Sequence, residues 1–166
     1  MSEFKPLDPT ACGLFLVAAI SLPLALTCLF SDELKYAVPA ELFMLIGLLI
    51  VVVALLAYRA ESNFGFTVFL LVGAAVFASG WGIGVIGNLV FGIIFVFCIA
   101  WSVFIKTPKA LTAICCTTAG IFLIIGIAGI IDQDLNTILG IVALLNFVFN
   151  FYLASALASD GKIPVI

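Results

Sequence analysis

The chain has 166 residues, 66% of them hydrophobic and 9% charged, with a mean hydropathy of +1.43 and a formal charge of −3. That composition excludes a water-soluble domain, and the absence of histidine excludes HExxH metal sites, Ser/His nucleophiles and histidine proton relays. All six Lys and Arg residues fall in gaps between long apolar runs, as expected when a basic residue at the centre of a membrane helix costs about 2.5–3.5 kcal/mol.

The chain therefore reads as an all-α integral membrane protein, and its elements follow in order. Residues 1–11 form an N-terminal segment holding Lys5, and the run after it is too long, and lacks the small-residue site, for a cleaved signal. The first span is Cys12 to Phe30, with Pro23 inside it, where a missing backbone donor is expected to bend or break the helix. A gap with Asp32, Glu33 and Lys35 leads to the second span, Val38 to Tyr58. Glu41 lies about one turn inside that span and reads either as a vestibule acid or as an interfacial carboxylate that still reaches water. Arg59 marks the next gap.

Phe64 to Ile105 contains no charge, is too long for one helix and about right for two. Gly80, Gly82, Gly84, Gly87 and Asn88 punctuate it, so a tight turn separates a third span, Phe64 to Gly82, from a fourth, Val85 to Ile105. Lys106 and Lys109 precede the fifth span, Leu111 to Ile131, and Asp132 and Asp134 precede the sixth, Thr137 to Ala158. Six spans make residues 12–158 the membrane domain and 159–166, with Lys162, a tail. Lys5, Arg59, Lys106, Lys109 and Lys162 share one side against Lys35 alone on the other, which puts both termini in the cytoplasm. With no targeting extension, the expected location is the plasma membrane, in contact with lipid.

Chemistry is sparse inside the spans. Every Asp lies in a terminus or loop, so paired intramembrane aspartates are missing and an enzyme is not expected. Cys12, Cys28, Cys98, Cys115 and Cys116 lack metal-site spacing and read as small packing residues; no metal, no cofactor and no nucleic-acid partner is expected. Asn146 and Asn150, four apart, share one face of the sixth span, and Thr112 and Cys116 make a weaker polar stripe on the fifth. These groups suit either the lining of a path for a small polar solute or hydrogen bonds between helices, and the spacing leaves both open. Gly80 and Gly84 are spaced as GxxxG, and Ala154 and Ala158 as small-xxx-small, which points to close helix contact.

Before the first span stands Asp8-Pro9-Thr10-Ala11-Cys12-Gly13-Leu14, which resembles the N-P-A-P-L-G-L signature of the microbial acetate uptake transporters, or acetate/succinate permeases; Pro9, Gly13 and Leu14 are identical and Asp8 replaces Asn. Phe64, Gly65, Thr67, Phe69 and Gly73, with Phe66 at an open position, follow the F-G-x-T-x-F…G part of the family's N-x-F-G-x-T-x-F…G pattern, and Asn63 stands one place later than the pattern's Asn. Tyr152-Leu153-Ala154 and Ile163-Pro164-Val165 resemble its Y-L-A and terminal segments. The resemblance implies a six-helix protomer, cytoplasmic termini, a homo-hexamer with a path through each protomer, and passage of acetate or related short carboxylates.

It also implies a hydrophobic constriction to which Val17 and Val72 contribute, both smaller than the aromatic residues expected there, and a fifth-span contribution near Cys116, Thr117 and Thr118. Asp8 reads as a helix cap with Pro9 in the first turn. The expected function is a channel or proton-linked transporter for small monocarboxylates, acetate foremost. The alternatives are a pore for neutral solutes such as urea, amides or ammonia, and a non-conducting membrane scaffold or sensor.

Overall fold

A computed structural model describes residues 9–30, 38–159 and 162–165, in which six long helices, α1 (Thr10–Leu29), α2 (Ala40–Arg59), α3 (Asn63–Trp81), α4 (Gly84–Phe104), α5 (Lys109–Ile131) and α6 (Asn136–Ala158), follow one another without a strand. All six are long and apolar enough to cross a membrane, and the chain is a multi-pass integral membrane protein. Each end lies within two residues of the expected span.

Local chemistry sets those ends. Pro9 and Pro108 stand just before α1 and α5, where a residue without a backbone donor leaves no helical bond unmade. The cap position of α1 thus falls on Pro9, which is not in the first turn, and Gly13 N donates to Pro9 O at 3.1 Å. The cap expected of Asp8 lies outside the described residues. Ser62 caps α3, its Oγ accepting from Gly65 N at 3.2 Å. Gly82 (φ 82°) and Gly84 (φ 67°) make the turn between α3 and α4, a left-handed backbone that a side chain would strain.

Three expectations are corrected here. The GxxxG of Gly80 and Gly84 is not one helix face, because the turn at Gly82 puts Gly80 on α3 against α2 and Gly84 at the start of α4 in open space. Ala154 is buried inside the protomer while Ala158 is exposed, so that pair shares no contact either. α1 also runs unbroken through Pro23.

The helices form a closed cycle of neighbours, α3–α2–α1–α6–α5–α4, whose last pair, α4 and α3, touch least. α2 and α3 approach closely at Gly47 and Gly73, where a Cβ on Gly73 would lie 2.8 Å from Gly47 O and 2.9 Å from Val51 N. The main core fills the middle of the cycle, from Leu14 and Val17 on α1 through Ile50, Phe69 and Phe95 to Phe122 and Leu153. At the end carrying Thr10 and Ser62, called the lower end below, the tail returns to α6, and Tyr152 Oη donates to Pro164 O at 2.7 Å.

Candidate functional site

Two cavities lie within the helix cycle, one toward each end. The upper, about 240 Å³, is bordered by residues from all six helices, among them Phe43 of α2, Asn88 of α4 and Asn146 of α6, and by Ile83 in the α3–α4 turn. The lower, about 90 Å³, is bordered by Thr10 and Leu14 of α1, Ser62, Phe64 and Gly65 at the start of α3, Ile114 of α5 and Asn150 of α6. Three residues border both: Val17, Val72 and Thr118. Val17 and Val72 are 6% and 5% exposed, so the partition between the cavities is two small aliphatic side chains and one hydroxyl. Among the described residues no Asp, Glu, Lys or Arg borders either cavity.

A hydrogen-bonded cluster stands beside that partition. Asn146, 1% exposed, is its centre. Its Oδ1 accepts from Ser21 Oγ of α1 at 2.8 Å and from Asn150 Nδ2 at 3.0 Å. Its Nδ2 donates to Thr117 Oγ1 at 2.8 Å and to Thr118 Oγ1 at 2.9 Å, both on α5. Both ends of the carboxamide are engaged, and one side chain ties α1, α5 and α6 together. Ser21 has one proton and two acceptors at 2.8 Å, Asn146 Oδ1 and Val17 O.

The neighbouring threonines differ. Thr117 Oγ1 donates back to its own helix, to Ala113 O at 3.0 Å or Ile114 O at 3.1 Å, so it is fully engaged. Thr118 Oγ1 only accepts, and its proton has no acceptor among the described residues. Asn150, 0% exposed, donates Nδ2 to Asn146 O at 2.8 Å and to Asn146 Oδ1, while its own Oδ1 has no partner. A buried acceptor left so costs about 1–3 kcal/mol, which a passing donor would recover.

The residues singled out from sequence thus separate. Asn146, Asn150 and Thr118 meet at the partition, and Thr117 stands behind it. Thr112 and Cys116 border neither cavity: Thr112 Oγ1 bonds Ser102 Oγ at 2.7 Å in a hydroxyl cluster with Thr107 at the α4–α5 turn, and Cys116 is exposed on the outer face of α5. The stripe fails because Thr112 is drawn toward α4 and Cys116 lies on the face turned away from the neighbouring helices.

Of the motif residues, Leu14, Phe64 and Gly65 border the lower cavity, with Phe64 edge-on to Trp101 at 5.0 Å. Gly13 packs between α2 and α3 beside Phe69 and Val53, and Thr67 Oγ1 donates to Asn63 O at 3.0 Å on the surface. Glu41 is exposed at the start of α2, outside both linings. Ser21 and Asn88 were not foreseen as site residues. Ser21 showed only as a small polar residue in an apolar run, and Asn88 only as punctuation. Both are buried against the upper cavity, with Asn88 Nδ2 donating to Gly84 O at 2.7 Å. Among the described residues no cluster of His, Cys, Asp or Glu could hold a metal.

No family model and no curated protein matches this sequence. Among solved structures, the bacterial acetate channel SatP superposes with a TM-score of 0.82 over 96% of this chain and 99% of its own, at 16% sequence identity. The six-helix protomer that the motifs imply is therefore present, and the chain shares its fold with the bacterial acetate channel SatP.

Proposed function

We propose that this protein is a membrane channel or carrier for small monocarboxylates, acetate foremost, with a path through each protomer. The observation that carries the reading is the pair of cavities that share Val17, Val72 and Thr118 as bordering residues, beside a buried amide cluster. The shared fold with an acetate channel and the three sequence motifs support the choice of solute. Membership of the acetate uptake family, a homo-hexameric assembly, cytoplasmic termini (residues 1–11 and 159–166) and a plasma-membrane location belong to the same proposal.

The physical logic is that of an apolar gate. A solute leaves water in the upper cavity, passes an apolar constriction at Val17 and Val72, and exchanges its hydration for contacts with hydroxyl and amide groups. Among the described residues no cation stands in the path to hold it tightly, which favours easy release. The residue types in the cavities offer no nucleophile and base pair, which favours conduction over catalysis. One observation favours a second reading, a pore for neutral solutes such as urea: among the described residues the linings carry no charge, and the gate residues are small.

The test is uptake of labelled acetate into liposomes holding the purified protein, with and without a pH gradient, beside labelled urea. Protein-dependent acetate flux that responds to the gradient is expected. Urea flux without acetate flux would replace this reading with the neutral pore, and flux of neither would leave a non-conducting scaffold or sensor.

A further inference from the structure

The two cavities differ in what they can hold. A cavity of about 150 Å³ lined by Leu, Ile and Phe admits benzene. The upper cavity, about 240 Å³, exceeds that volume, and the lower, about 90 Å³, falls short of it. A benzene-sized body therefore fits above the partition and not below it. The upper cavity also reaches the upper end of the helix cycle, where Gly82, Ile83 and Gly84 of the α3–α4 turn border it.

The wall of this cavity is apolar except for a few uncharged groups, and one of these has hydrogen-bonding capacity to spare. Asn88, 8% exposed, stands one turn into α4. Its Nδ2 donates to Gly84 O at 2.7 Å, so exchanging oxygen for nitrogen would set oxygen against oxygen, and the carboxamide's orientation is fixed. Asn88 Oδ1 has no partner among the described residues and, unlike Asn150 Oδ1, is not sealed from a water-sized molecule. On α3, Ser79 borders the same cavity; its proton goes to Ala75 O at 2.8 Å and its oxygen remains an acceptor. The cavity thus offers a ligand acceptors, and among the described residues no charge.

We propose that the upper cavity is a binding site for uncharged ligands with a benzene-sized apolar body and a primary amide head, whose N–H donates to Asn88 Oδ1, and that such a ligand blocks the path because it cannot follow the solute into the lower cavity. This rests on the conduction reading and adds an inhibitor site to it. Burial of the body against side chains such as Ile121 and Phe122 drives binding, and the amide sets its orientation. A charged head would leave water for a wall with no opposite charge to pair it, so the site selects against carboxylates and amines of the same size.

The probe is labelled benzamide. Equilibrium dialysis against the full chain in detergent micelles, corrected for empty micelles, should show about one site per chain. In liposomes, benzamide should inhibit protein-dependent acetate influx saturably and to completion. Asn88→Leu is close in volume and removes the acceptor, so it should weaken benzamide binding about tenfold, the effect of one hydrogen bond. Acetophenone, of nearly the same shape but without the N–H, should bind the wild type and this variant alike. Val76→Phe narrows the cavity from α3 without touching the amide and should weaken both ligands, which keeps the test decisive should Asn88→Leu fail to assemble.

No saturable benzamide binding, equal benzamide binding by the wild type and Asn88→Leu, or binding that leaves acetate influx undiminished overturns the proposal while conduction stands. Absence of protein-dependent acetate influx overturns the conduction reading, and the two failures are told apart because dialysis reads the site whether or not acetate passes.

Discussion

Replacing Asn146 with Leu separates a structural tie from a solute contact. The side chain makes three hydrogen bonds to other helices, to Ser21 on α1 and to Thr117 and Thr118 on α5. Hydrogen bonds between membrane helices average about 0.6 kcal/mol in double-mutant cycles, so three amount to about 2 kcal/mol. Leu is close in volume, so little cavity is added, and three of the four abandoned partners keep another bond, Ser21 to Val17 O, Thr117 to Ala113 O and Asn150 Nδ2 to the backbone of residue 146, while Thr118 loses its one bond. The matched control is Asn150→Leu. Its bonds stay within α6 and its free Oδ1 is already a cost, so the loss should be less than about 1 kcal/mol. Unfolding in mixed micelles, titrated with denaturing detergent, measures both variants. A cost for Asn146→Leu no larger than for Asn150→Leu would refute the view that Asn146 holds three helices together.

Three further outcomes follow from the geometry. Val17→Phe adds a ring between the two cavities, so acetate flux should fall at least about tenfold while the variant assembles and unfolds normally; equal flux for solutes of several sizes would remove Val17 from the gate. Gly73→Ala drives a Cβ to 2.8 Å from Gly47 O and 2.9 Å from Val51 N, backbone atoms that cannot swing away, and should cost about 1–3 kcal/mol by the same detergent titration; Gly120→Ala, whose nearest neighbour is the flexible Cγ1 of Val142 at 3.2 Å, should be close to neutral. Lys109→Cys, beside the α4–α5 turn, should react with an impermeant thiol reagent in inverted vesicles and not in intact cells, and the reverse pattern would turn the whole topology over.

The helices were legible because each apolar run is bounded by a charge, a proline or a glycine whose local effect is strong. Even the uncharged junction between α3 and α4 was visible, since glycine takes the positive φ at residues 82 and 84 with the least strain. The polar face of α6 was legible from the four-residue spacing of Asn146 and Asn150. What it meets was not. Ser21 lies 125 residues away, and nothing along the chain records that α1 and α6 are neighbours. On α5 the difficulty is rotational, because adjacent residues point about 100° apart. Thr118 faces the partition, Thr117 bonds its own backbone and Cys116 turns outward, and an almost uniformly apolar helix offers no moment from which to fix that register.

Packing of the first helix against the last also bears on how the molecule is made. α2 with α3 and α4 with α5 are hairpins that pair as soon as they are synthesised, but α1 has its largest interface with α6 and must wait in the bilayer until the final span emerges. During that interval Ser21 has no Asn146, and an unpaired hydroxyl in hydrocarbon is costly. The second acceptor at 2.8 Å, Val17 O on its own helix, supplies the interim bond, so α1 enters lipid with its hydroxyl satisfied and closes the cycle as that O–H turns from the backbone carbonyl to the amide oxygen.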